Sequence, residues 1–249
     1  MKTFKPLILI ILFFSITYQA QANLALSKYR LYFDSSNRTD SLQIRNSGAV
    51  AFDYQVKLGL TAMTEEGTVY NIDEDPLSAI DMLRYSPKRG TLEAGERQAI
   101  RFALRKPAGL ADGEYRATLK ITSTPKSDGV SSASRNTLSY GLPIIVRHGK
   151  VTASTELLDP QLVMRSDIPH VEFWQTRQGN RSLFGNFIVS DVQGNELGIY
   201  KNSSIYLPLS RRKISIGLNK KVEGKVLIEY KEIAGFGGDQ TAKTEVELK

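Results

Sequence analysis

Apolar and polar residues alternate along run after run of this chain, and that period of two limits what it can fold into more than any other feature. Phe52, Tyr54, Val56, Leu58 and Leu60 make one run; Leu138, Tyr140, Leu142, Ile144 and Val146 make another. A strand sends successive side chains to opposite faces, so each run describes a strand whose apolar face must be covered. Gly, Pro, Asn and Asp punctuate the runs, and no stretch keeps a helical period over three turns. The chain is expected to be all-β, with early strands over 26–33, 41–46, 52–60, 82–86, 97–105 and 114–123.

Residues 1–22 stand apart from this pattern. Lys2 and Lys5 precede an apolar stretch from Leu7 to Ile16, and Ala20-Gln21-Ala22 has the small-x-small form of a cleavage site, so the segment reads as a secretory signal. The apolar stretch is too short to span a bilayer comfortably, and no later segment is apolar enough to do so, which leaves a product that is not membrane-embedded. Cysteine is absent. That rules out disulfides, thiolate metal sites and a cysteine nucleophile, and it suits a bacterial periplasmic protein whose cores hold without staples.

The formal charge of +7 loses two units with the signal lysines. Its densest late clusters, Arg211-Arg212-Lys213 and Lys220-Lys221, lack interleaved aromatics, so they read as solvated strand ends rather than a nucleic-acid surface.

After the signal, the length suits one large all-β domain or two of about 100–125 residues. Seven or so strands up to residue 148 argue for an immunoglobulin-like sandwich, and Tyr115, just after the Asp112-Gly113 turn, has the form of a tyrosine corner. Gly149-Lys150 separates this series from another, over 151–158, 170–176, 183–190, 204–209, 212–218 and 224–231, with a loop and a last strand over 235–249. The expected division is 23–149 and 150–249, each a β-sandwich.

Several segments carry a family likeness. Leu26 to Phe33, the run from Ser86 to Arg101, the Asp112-Gly113-Glu114-Tyr115-Arg116 turn and the strand Tyr140 to Gly149 together resemble the periplasmic pilus-assembly chaperones of the PapD-like superfamily, in order and in spacing. Beyond residue 150 the resemblance rests on Arg177 to Ser182 and on strand rhythm, so the chain looks like a divergent branch. The resemblance implies two immunoglobulin-like domains set as a boomerang. It also implies a chaperone that lends the last strand of its first domain to incomplete pilus or fimbrial subunits and delivers them to an outer-membrane usher, without any cofactor.

From the residues alone, the row Leu138, Tyr140, Leu142, Ile144 is either ordinary core or an edge with a bare backbone and apolar anchors for another polypeptide. The resemblance implies the second. Pro143 suits an edge, because it has no N–H to donate to a ladder. By its context Arg30 matches the family's first-strand arginine, which binds a subunit carboxylate, and a guanidinium suits that task through paired, charge-assisted bonds. The family's second cation, a lysine, falls on Pro143 here. Arg147 is the candidate to replace it, with His148 or Lys150 beside it. An exposed apolar strand would also favour a self-capping dimer.

Other sites fall away. His148 and His170 lack metal-ligand spacing, no Gly-x-Ser-x-Gly elbow is present, and Asp73-Glu74-Asp75 lacks the glycine and glutamate of a calcium loop, so no metal and no enzyme is expected. Gly235-Phe236-Gly237-Gly238 reads as a hairpin tip rather than a phosphate loop. Two other classes compete: a structural pilin or adhesin module, which should carry a donor extension and often a disulfide, and a carbohydrate-binding domain. Trp174 is the only tryptophan and Phe173 lies on the opposite face, which argues for core rather than a sugar platform.

Overall fold

The computed structural model describes residues 24–126, 137–220 and 224–248. The expected signal segment and the polar loop before Leu138 lie outside the described residues. Strands account for nearly all regular structure, and two short 3-10 turns, Ile80–Met82 and Ala234–Phe236, are the helical pieces among the described residues.

The N-terminal half is a sandwich. One sheet orders Leu24–Leu26, Thr39–Asn46, Arg97–Leu104 and Leu83–Ser86; the other orders Leu31–Phe33, Leu138–His148, Gly113–Pro125, Phe52–Met63 and Val69–Ile72, with Arg89–Leu92 paired to Phe52–Met63. Leu42, Ile44, Ile100 and Phe102 face Phe33, Phe52, Val56, Leu119 and Ile121 in one core. Each such side chain, fully buried, stabilises by about 1.5–3 kcal/mol. Tyr115 donates its hydroxyl to the Ala111 carbonyl at 2.9 Å, so the expected corner is formed.

The expected single strand over 26–33 is two strands. Leu24–Leu26 pairs antiparallel with Thr39–Asn46 in one sheet, whereas Leu31–Phe33 pairs parallel with Ile144–Val146 in the other. Ser27 to Arg30 cross between the layers, which turns Arg30 away from the core and toward the C-terminal half.

That half has its own core, built from Val171, Phe173, Phe187, Val189, Ile214, Ile228 and Tyr230. A sheet of Leu157–Arg165, Ile168–Thr176 and Arg211–Gly217 packs against one of Glu196–Ile205, Leu183–Asp191, Gly224–Glu232 and Thr241–Leu248. Strand Glu196–Ile205 replaces the expected 204–209: the strand ends at Ile205, and Leu207 and Pro208 form a turn. Gly149 sits between the halves at a φ of 61°, and a Cβ there would fall 1.6 Å from Asp112 Oδ1, so this turn requires glycine.

Candidate functional site

The strand Leu138–His148 is paired along its whole length on one flank only. Ser123 down to Gly113 runs antiparallel beside it, while Leu31–Phe33 covers just Ile144 to Val146 on the other side. Leu138 to Pro143 therefore present a free backbone edge among the described residues. An unpaired edge of this kind is a template for another strand.

The side chains divide unevenly. Leu142 and Ile144 are 1% and 0% exposed and belong to the first core, whereas Leu138 is 37% exposed and Tyr140 packs only partly against that core. The expected row of four available anchors is thus corrected to two at the rim. Leu142 and Ile144 share a face with the other two, but that face closes on the opposite sheet before any partner arrives.

On the other face of the same sheet, Arg116, Thr118 and Lys120 lie beside Ile145, Pro143 and Gly141. Tyr206 of the C-terminal half covers part of this surface. Together with the hairpin strand Val69–Ile72 it borders a cavity of about 480 Å³, lined also by Thr61, Thr118, Lys120, Tyr140 and Pro143.

Arg30 is buried against the C-terminal half, 6% exposed. Its Nη2 donates to Ser204 Oγ and Tyr206 Oη, both at 2.9 Å, and its guanidinium stacks 3.7 Å over the Phe184 ring. Its Nε is buried without a partner among the described residues. Arg116 approaches the same Tyr206 ring to 4.9 Å, donates to the Leu207 carbonyl at 2.7 Å, and stands 3.4 Å from Asp75. Its Nε, too, is buried and unpartnered. Both arginines are held by the C-terminal half, a contact that sequence reasoning missed.

Arg147 is no free second cation. Its Nε donates to buried Glu114 at 3.1 Å, its Nη1 to the carbonyls of Phe236 and Gly237 at 3.1 and 2.7 Å, and its Nη2 to that of Ser182. With four of its five N–H groups committed, it ties the two halves together. The Gly235 to Gly238 segment, expected as a hairpin tip, supplies two of those acceptors.

Arg211, Arg212 and Lys213, expected as solvated strand ends, are likewise engaged. Arg211 clasps Glu65 and stacks on Trp174, Arg212 bonds Tyr200 and Ser204, and Lys213 pairs with Glu172. Phe173 is in the core, as expected, while Trp174 is half-buried beneath Arg211 rather than in it. Arg181, within the resemblance segment, pairs with Glu232 at 2.8 Å and with Asp239. Among the described residues no cluster of His, Asp or Glu could hold a metal ion.

No family model matches the chain, and no curated protein matches it in sequence. Solved structures do resemble it. The YadV chaperone is 13% identical, with 90% of this chain and 99% of that one covered and a TM-score of 0.52. A chain of the CsuC–CsuE chaperone–tip adhesion subunit complex from Csu pili of Acinetobacter baumannii is 12% identical, covering 92% and 100%, at 0.51. The E. coli chaperone DraB is 15% identical, covering 92% and 97%, at 0.50. The chain therefore has the two-domain, all-β fold of these chaperone structures, at a sequence identity of only 12–15%.

Proposed function

We propose that this protein is a periplasmic chaperone for the subunits of a surface fibre: it binds an incomplete subunit along the free edge Leu138 to Pro143 and passes it to an outer-membrane usher. The edge carries the reading, since it offers unpaired backbone groups beside the apolar rim of Leu138 and Tyr140. Strand addition satisfies both partners at once: the ladder supplies affinity and the alternate side chains supply register. This is binding without chemistry. The two separate cores support a division into domains near 149/150, and the N-terminal segment supports export to the periplasm. Arg30 is the anchor for a subunit carboxylate, which would take over the bonds now made by the hydroxyls of Ser204 and Tyr206.

Co-expression with candidate fibre subunits tests the reading. A one-to-one complex is expected, and Leu138→Glu should weaken it at least about tenfold, the factor that loss of one buried apolar anchor brings, while leaving the free protein's melting unchanged. A complex as tight as that of the unaltered chain would overturn donation through this edge.

A further inference from the structure

Lys57 and Lys120 stand directly opposite one another on neighbouring strands, next to the cavity behind the free edge. Like charges in that position repel, and a fold normally answers them with a nearby carboxylate. None is supplied here: among the described residues neither lysine has an ion pair or a side-chain hydrogen bond. Nor does Lys120 simply reach out to water. Its chain end lies across Gly59, where a Cβ would stand 2.9 Å from Cε and 3.2 Å from Nζ, so the absence of a side chain at 59 gives the lysine its seat.

The surroundings fit an acidic group on a peptide. Lys120 lines the cavity together with Tyr70, Tyr140 and Tyr206, and the hydroxyls of Thr61 and Thr118, bonded to each other at 2.7 Å, lie on the same wall. Gly141, opposite Lys120 on its other flank, belongs to the free edge. The cavity thus reaches from Ser139, Gly141 and Pro143 on the free edge, across Gly141 with no side chain in the way, to an uncompensated ammonium seated over Gly59. Resting on the chaperone reading above, we infer that Lys120, assisted by Lys57, selects clients whose edge-pairing segment presents a carboxylate to this cavity. The selecting cation comes from the strand neighbouring the donor edge rather than from the edge itself, where Pro143 has no charge to offer.

The test uses the mature chain and short fluorescein-labelled peptides of alternating valine and threonine, titrated at low salt. One peptide carries Asp near its end with the C-terminus amidated, a second has Asn instead, and a third has Asn with a free C-terminal carboxylate. The unaltered protein should bind a carboxylate-bearing peptide about tenfold more tightly than the amidated Asn peptide, the scale of one charge-assisted bond. Comparison of the first and third peptides tells whether the side chain or the terminus supplies the group. Lys120→Met, which keeps the stem over Gly59, should erase the difference without changing affinity for the amidated Asn peptide, and Lys120→Arg should keep it. Lys57→Met should narrow the difference by less. If the unaltered protein shows no such preference, or Lys120→Met retains it, the inference is overturned. If the unaltered protein binds none of the peptides, the edge-pairing reading itself falls, and this inference with it.

Discussion

Arg147 Nε donates to Glu114 Oε2 at 3.1 Å, deep between the halves, with 7% of the arginine side chain and none of the glutamate exposed. The same carboxylate oxygen accepts the Ser182 amide at 3.1 Å, so one glutamate of the first half holds both the arginine and the backbone of the second. Two charges taken out of water together are stable only as a pair.

Removing either partner should therefore be costly. Glu114→Ala strands the arginine and leaves the Ser182 amide without its acceptor, and an expected loss of about 3–5 kcal/mol follows. Urea unfolding of the two single variants and the double variant checks this. The double variant should be less destabilised than the sum of the singles, and strictly additive losses would show that the pair does not act as a unit.

Leu142 and Leu138 lie on the same face of one strand, yet they should respond differently. Leu142 fills the first core, so Leu142→Ala is expected to cost about 2–5 kcal/mol; Leu138 lies at the rim, and Leu138→Ala should change stability by only about 0.5 kcal/mol. Denaturant midpoints separate the two. Equal losses would mean that Leu138 is core and unavailable to a partner.

The alternating runs and the tyrosine corner could be read from the chain because their causes are local: a two-residue period, and a Tyr115 hydroxyl that reaches back four positions to Ala111. The roles of Arg30, Arg147 and Arg212 could not. A charged residue in a strand looks solvated until another surface covers it, and the acceptors of Arg147 lie 33 to 90 positions away along the chain. The change of sheet at Ser27 to Arg30 showed only as a slip of phase, since Leu24 and Leu26 fall on even positions and Leu31 and Phe33 on odd ones, with no Gly or Pro to mark the break. At Leu142 and Ile144 the pattern showed a shared face but not what covers it.

Acid should weaken the second half through Glu172. Burial acts to raise this carboxyl, but bonds from Lys213 and Arg165 override it and hold it down at about 2, against an ordinary 4.5. A carboxylate depressed by folding contributes stability that is fully present above the unfolded value and is lost as pH falls from about 4.5 toward 2. Its partners are partly exposed, so the contribution is discounted for solvent screening to about 2 kcal/mol. Glu172→Gln should be less stable by that amount at pH 7, and the gap should close toward pH 2. A gap of constant size in urea titrations across that range would remove the ionic account.

The hairpin tip joining Phe52–Met63 to Val69–Ile72 reaches across to the second half, and Gly67 is what allows it. Gly67 has a φ of 90°, and a Cβ there would stand 2.3 Å from Arg212 Nη2. That guanidinium is already fixed by Tyr200, Ser203 and Ser204, so it cannot move aside without breaking those bonds. Gly67→Ala should cost about 1 kcal/mol or more from the left-handed backbone alone. It should also lift the tip from its seat, where the Lys213 amide donates to the Glu65 carbonyl at 2.7 Å. Faster deuterium exchange at Lys213, with exchange in the core strand Gly113–Pro125 unchanged, is the expected signature. Unchanged exchange at Lys213 would show that the hairpin rests on the second half without being held by it.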